Sequence, residues 1–112
     1  MGQTLDPVKV AAKYCKVEFE NDEVRVLRWL VGPHEKVPMH EHPKYVTIFL
    51  TDDRSKYILS DGKTIEVNVK AGHVSWSPGT KHTAENLSDK PEELVQVELK
   101  SKPGRSRVGR RV

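Results

Sequence analysis

The chain has a single cysteine, few aromatic residues and no long apolar run. Each shortage excludes something. Cys15 on its own cannot form an intrachain disulfide, and a lone cysteine fits a reducing compartment. It reads as a structural residue on a strand, with a reactive thiol as the alternative. No segment approaches the ~18 apolar residues of a membrane-spanning helix. No apolar stretch near Met1 has the form of a signal peptide. The expected address is therefore the cytoplasm, with no membrane partner. Apolar residues make up 36% of the 112 positions and charged residues 31%, which describes one soluble domain with a modest core. A chain of this length can bury that core without disulfides or a structural metal.

Acidic residues are missing from one end. From Lys100 onward the chain holds Lys100, Lys102, Arg105, Arg107, Arg110 and Arg111 and no Asp or Glu. Residues 1–99 then carry thirteen basic against sixteen acidic side chains, so the body is mildly acidic although the whole chain is +3. A basic tail can bind nucleic acid or anionic lipid. It can equally be a solvated tail or an arm on a neighbouring subunit. No aromatic residue is interleaved with its charges, so base stacking has no support and a nucleic-acid partner is not expected.

Helical periodicity is also lacking between residues 14 and 99. Residues 1–13 read as a leader or short helix, with Val8-Lys9-Val10-Ala11-Ala12 as the apolar cluster. After it, strand signals dominate. Tyr14 to Glu20 and Val24 to Val31 alternate, and Asn21-Asp22 between them reads as a hairpin turn. Tyr45 to Leu50 is a continuous β-branched and aromatic run, predicted as a strand buried on both faces. Lys56 to Leu59 and Thr64 to Val69 flank Asp61-Gly62, a second hairpin signal. His73 to Trp76, Thr83 to Leu87 and Glu93 to Leu99 complete the set. Many short strands with turn residues between them predict an all-β sandwich or barrel.

What is present is histidine in a pattern. His40 and His42 are one residue apart, which puts both on the same face of an extended strand. Some forty residues later Pro78-Gly79-Thr80-Lys81-His82 delivers a third from another strand. Neutral imidazole is a ligand for Zn, Cu, Fe and Ni. Three imidazoles converging inside a barrel predict a metal site; the alternative is that they serve as polar pocket walls. Glu41, between the pair, should face away. His34 reads as a solvated loop residue and His73 as structural or exposed. Trp29, Phe49, Tyr57 and Trp76 read as core, with Trp76, just before the Ser77-Pro78-Gly79 turn, the best of them for a pocket wall.

These residues resemble the two motifs of the cupin family. Gly32, His40 and His42 match the first; Gly72, Pro78, Gly79, His82 and Asn86 match the second. The resemblance covers residues 14–99, with 1–13 left as leader and 100–112 as basic tail. It implies a double-stranded β-helix, or jelly-roll barrel, with His40, His42 and His82 directed inward to one divalent metal ion (Fe, Zn, Mn, Ni or Cu). A looser likeness is to small single-domain cupins assigned to β-alanine catabolism. The chain departs from the family in lacking the ligand glutamate. Its place falls at Tyr45, with Thr47 next on the same face, and Asp52-Asp53 stands where a glycine is expected. Tyr45 could hydrogen-bond a substrate or simply fill the vacated space.

Two functional classes follow. One is a mononuclear metal-dependent oxygenase, isomerase or lyase acting on a small polar substrate that Tyr45 or Thr47 orients, with no evident general base near the motif. The other is a non-catalytic small-molecule or metal-binding cupin. A homodimer is expected in either case, with the strand from Tyr14 as a candidate for exchange.

Overall fold

A computed structural model describes residues 5–101. One short helix, α1 (Pro7–Val10), is followed by nine strands: β1 (Cys15–Glu20), β2 (Val24–Val31), β3 (Lys36–His42), β4 (Tyr45–Phe49), β5 (Asp53–Leu59), β6 (Thr64–Val69), β7 (Val74–Ser77), β8 (Thr80–Asn86) and β9 (Glu92–Leu99). They form a five-stranded sheet ordered β1-β2-β9-β4-β7 and a four-stranded sheet ordered β3-β8-β5-β6. Every pairing is antiparallel. The expected jelly-roll barrel is thus observed. The basic tail from Lys102 onward lies outside the described residues.

Turn chemistry sets the connections. Asn21 closes the β1–β2 hairpin by accepting from the backbone N–H of Glu23 and Val24 through its side-chain oxygen. Gly62 turns β5 into β6 with φ +91°, a conformation that side chains with a Cβ avoid. Asp6 caps α1 by accepting from the Val8 N–H at 3.1 Å, and Pro7 occupies the first helical position. That helix is packed into the body: Pro7 is buried and Ala11 belongs to the core with Cys15, Leu27, Trp29, Val37, Phe49 and Leu94.

The inward faces decide where function can sit. On β2, Leu27 and Trp29 point in; on β4, Tyr45, Thr47 and Phe49; on β9, Glu92, Leu94, Gln96 and Glu98. β9 therefore turns three polar groups inward and sends Val95, Val97 and Leu99 outward. β4 differs from expectation for a related reason. It is buried on its inward face only, and Val46 and Ile48 are half-buried on the outer one. Trp76 differs more sharply. It is not a pocket wall: it stands 56% exposed, paired with Val46 on the outside of the sheet.

β3 contains the irregularity that aims the histidines. Val37 pairs with Ala84 and His40 with His82, so two residues on β3, Pro38 and Met39, oppose Thr83 alone on β8. This is a β-bulge at Pro38-Met39, a place where a proline that cannot donate to the ladder is tolerated. The extra residue resets the alternation, so that Val37, His40 and His42 all face inward.

Candidate metal centre

His40 and His42 come from β3 and His82 from the adjacent β8. All three are buried, and one nitrogen from each lies within 4.8 Å of the others. The ring centroids are 4.9 Å apart for His40–His42, 4.8 Å for His40–His82 and 5.6 Å for His42–His82, each pair set edge to face. Glu41 faces away, as expected, and pairs with Lys81 on the outer side of the ladder.

Two of the rings are oriented by partners that can only accept. His40 Nδ1 lies 2.7 Å from the Pro38 carbonyl oxygen, and His42 Nδ1 lies 2.8 Å from Glu98 Oε2. Those nitrogens therefore carry a proton, and in the neutral ring Nε2 keeps its lone pair. His42 Nε2 is buried and has no hydrogen-bond partner among the described residues. An unsatisfied buried acceptor costs roughly 1–3 kcal/mol, so its presence marks a position built for something else. Burial, reinforced by the neighbouring His42, takes His40 down to about 4. Burial together with His40 and His42 takes His82 down to about 3. Both rings are neutral at pH 7, the form that ligates. The donor set thus fits a divalent ion of the kind that imidazole favours.

Trp29 packs on His40 at 5.0 Å, Tyr45 on His42 at 4.5 Å and Tyr57 on His82 at 4.7 Å. Each imidazole is held by an aromatic face. Tyr45 and Thr47 are both buried on β4. Burial pushes the Tyr45 phenol up, and a hydrogen bond with Ser77 partly offsets this. Thr47 Oγ1 accepts from Gln96 Nε2 at 3.3 Å. A cavity of about 40 Å³ adjoins the cluster; its walls include Trp29, His40, Tyr57 and His82, and also Asp53 and Glu92. Trp29 is therefore both core and pocket, whereas Tyr57 is half-buried, lines the cavity and lies outside the core cluster. Tyr45 and Thr47 are not among its walls.

Two groups escaped the sequence reading. The first is Glu98, which holds His42 and is itself paired with Arg25. The second is a pair of buried carboxyls, Asp53 and Glu92, bridged by the Ser55 hydroxyl at 2.6 and 2.9 Å. Burial and the adjacent Asp53 raise Glu92 to about 7 despite a hydrogen bond from the Arg54 N–H, and burial raises Asp53 as well. Glu92 therefore gives up its proton only near neutrality. The only sequence signal for either group was the period-two series Glu92, Leu94, Gln96, Glu98, which the outward Val95 and Val97 obscured. Asn86 shares the inward face with His82, as expected. Its amide donates to the carbonyls of Val31, Gly32 and Lys90, so it ties loops together. His34 is exposed and pairs with Asp89, and His73 is exposed against Phe49.

No family model matches the chain, and no curated protein does. Solved structures do. A cupin domain protein from Bordetella pertussis is 25% identical, with TM-score 0.72, over 78% of this chain and 92% of that one. An uncharacterised double-stranded β-helix protein from Klebsiella pneumoniae is 24% identical, with TM-score 0.59, over 78% and 83%. A predicted oxalate decarboxylase from Thermotoga maritima is 22% identical, with TM-score 0.56, over 76% and 77%. None of the three bears on β-alanine catabolism.

Proposed function

From the premise that this chain is a cupin, we propose that it is a mononuclear metal protein whose His40, His42 and His82 hold one divalent ion beside a pocket for a small polar molecule. The observation that carries this is the buried Nε2 of His42, without a hydrogen-bond partner among the described residues, within a cluster of three buried imidazoles. When bound, the metal would supply Lewis acidity or, if redox-active, a site for oxygen chemistry. The chain's own residues do the rest. Trp29 and Tyr57 wall the cavity. Its size admits a ligand of a few heavy atoms or a few waters. Tyr45, packed on the His42 ring, and Thr47 would be the orienting groups, on β4 facing the histidines rather than in the cavity wall.

Among oxygenase, isomerase and lyase chemistries and plain binding, the Asp53–Glu92 pair favours an enzyme. It lines the same cavity and holds a proton near neutral pH, which is what a general acid or base requires. Metal analysis of tag-free protein tests the reading. One equivalent of metal that is lost in His42→Ala supports it, and no metal under any loading condition sinks it. Cys15, free and buried, fits the reducing cytoplasm, where we place the protein.

The partner reading has its own observation. Phe19, Val26, Val97, Val46 and Trp76 are successive ladder partners across all five strands, an unbroken apolar row on the outer face. Val74 and Leu99 extend it and are exposed. A second copy of the chain is the occupant we propose. Sedimentation velocity should give a dimer that Trp76→Glu converts to a folded monomer. A wild-type monomer at high micromolar concentration would exclude it.

A further inference from the structure

We propose that Glu98 is the positioning carboxylate of this metal centre, acting through His42 rather than on the ion, and that it is held there by a chain running Asp6–Arg25–Glu98–His42. The proposal rests on the metal-binding reading above.

The place of a ligand carboxylate on β4 is taken by Tyr45, and the residue paired with Tyr45 across the ladder is Glu98 on β9. A negative charge therefore survives one strand away from where it is missing. Both of its oxygens are committed. Oε2 accepts from His42 Nδ1 at 2.8 Å. Oε1 accepts from Arg25 Nε at 3.1 Å and lies 3.0 Å from Nη2. Both oxygens are turned to these partners, and Glu98 lies outside the group of residues whose ligand atoms converge, so it acts through His42. What it does is choose the tautomer. A carboxylate cannot donate, so the proton must sit on His42 Nδ1, and the Nε2 lone pair is turned into the cluster.

The same contact makes Nε2 a stronger donor and places a carboxylate beside the three-imidazole set. The His42 side chain is completely buried and that of Glu98 is 4% exposed, so little water screens this charge. Arg25 has a second partner. Its Nη2 and Nη1 donate to the two oxygens of Asp6 at 3.0 and 3.2 Å, a two-pronged pair in which the guanidinium cannot swing away from Glu98. The guanidinium holds the Asp6 carboxyl below its ordinary value although burial works the other way. Asp6 is also the cap of α1. The docking of the N-terminal helix and the aim of a ligand histidine are thus parts of one hydrogen-bonded chain. Metal affinity and helix attachment should be linked, each strengthening the other.

A buried ion pair can exist for structural reasons alone, so the test needs a readout that such a role would not move. The probe is Co²⁺ titrated into metal-stripped full-length protein and followed by its ligand-field absorption, with the wild type, Glu98→Gln and Asp6→Asn compared. The expected result is one Co²⁺ per wild-type chain. Glu98→Gln should bind about 10–100-fold more weakly, with a shifted absorption band, and Asp6→Asn should weaken binding by a smaller factor. Glu98→Gln matching the wild type in affinity and spectrum overturns the proposal. A second measurement does not depend on any variant folding: the nitrogen NMR of metal-free wild-type protein should show His42 protonated on Nδ1, and protonation on Nε2 overturns the proposal as well. Failure of the wild type to bind Co²⁺, or any other divalent ion, overturns the metal reading itself, and is distinguishable because the His42 tautomer is read without metal.

Discussion

Acidification should unfold the metal-free protein in a defined way. His40 and His82 sit at about 4 and about 3 in the folded state, against 6.5 in an open chain. Below pH 6.5 the unfolded chain therefore takes up two protons that the folded state refuses, and stability falls as pH falls. The Asp53–Glu92 pair works in the other direction. Glu92 holds its proton up to about 7, against 4.5 when unfolded, so its contribution is present at low pH and is lost as pH rises through 7. Between pH 4.5 and 6.5 the unfolded state then binds a net one proton more. That gives a slope of about 1.4 kcal/mol per pH unit, or ~3 kcal/mol over the window. A loss of this size is a large share of the roughly 5–15 kcal/mol that keeps a domain folded. Stability should peak near pH 6.5, and urea unfolding of chelator-treated protein at half-unit steps would trace the curve. His82→Asn removes one of the two refused protons and should flatten the acid limb. A wild-type curve that is level or rising between pH 6.5 and 4.5, or an acid limb that His82→Asn leaves unchanged, refutes the reasoning.

Tyr45→Glu returns a carboxylate to the vacated position: metal affinity should rise about tenfold by calorimetry, while the metal-free melting temperature drops because the new charge faces Glu98. Gly79→Ala should cost about 1–3 kcal/mol in thermal melts, since Gly79 has φ +118° and a Cβ there would meet the His42 carbonyl oxygen at 3.2 Å; Gly62→Ala, with open space around it, should cost less, and the reverse order would contradict the close approach. Burial, with the field of Glu98, pushes the Cys15 thiol up to about 12, so thiol reagents at pH 8 should label it only after denaturation, and rapid labelling of native protein would count against its position. Leu27→Ala empties a side chain with 0% exposure and should lower stability by about 2–5 kcal/mol in urea.

The strands and hairpins were legible because they are local. Asn21-Asp22 and Asp61-Gly62 announce turns, and alternation marks what they join. The three histidines were legible because a period-two pair and a motif at a distance both survive in the sequence. Face assignment was harder. At β9 the apolar residues Val95, Val97 and Leu99 look like the buried set, yet the barrel buries Glu92, Gln96 and Glu98. Trp76 misled for the same reason, since an aromatic beside a turn fits a pocket wall or an outer face equally well. The bulge at Pro38-Met39 had no signal beyond the proline itself. Glu98 and the Asp53–Glu92 pair become visible only when β9 is laid between β2 and β4, because their partners lie tens of residues away in the chain.

The patterning of β9 has a consequence for how the chain finds its fold. Slipping this central strand by one residue would bring Val95, Val97 and Leu99 inside and expel Glu92, Gln96 and Glu98. The slipped barrel would have the oilier interior and no working centre. Its competitor, the native register, keeps its place through specific partners: Arg25 and His42 for Glu98, Trp29 for Gln96, Ser55 and the Arg54 N–H for Glu92. Here hydrophobic collapse and the polar network favour different alignments of the same strand, a local frustration of the folding landscape. The late step in folding this protein is then the sorting of one strand's two faces, and variants that break the polar contacts should populate a compact, misaligned state before they populate an unfolded one.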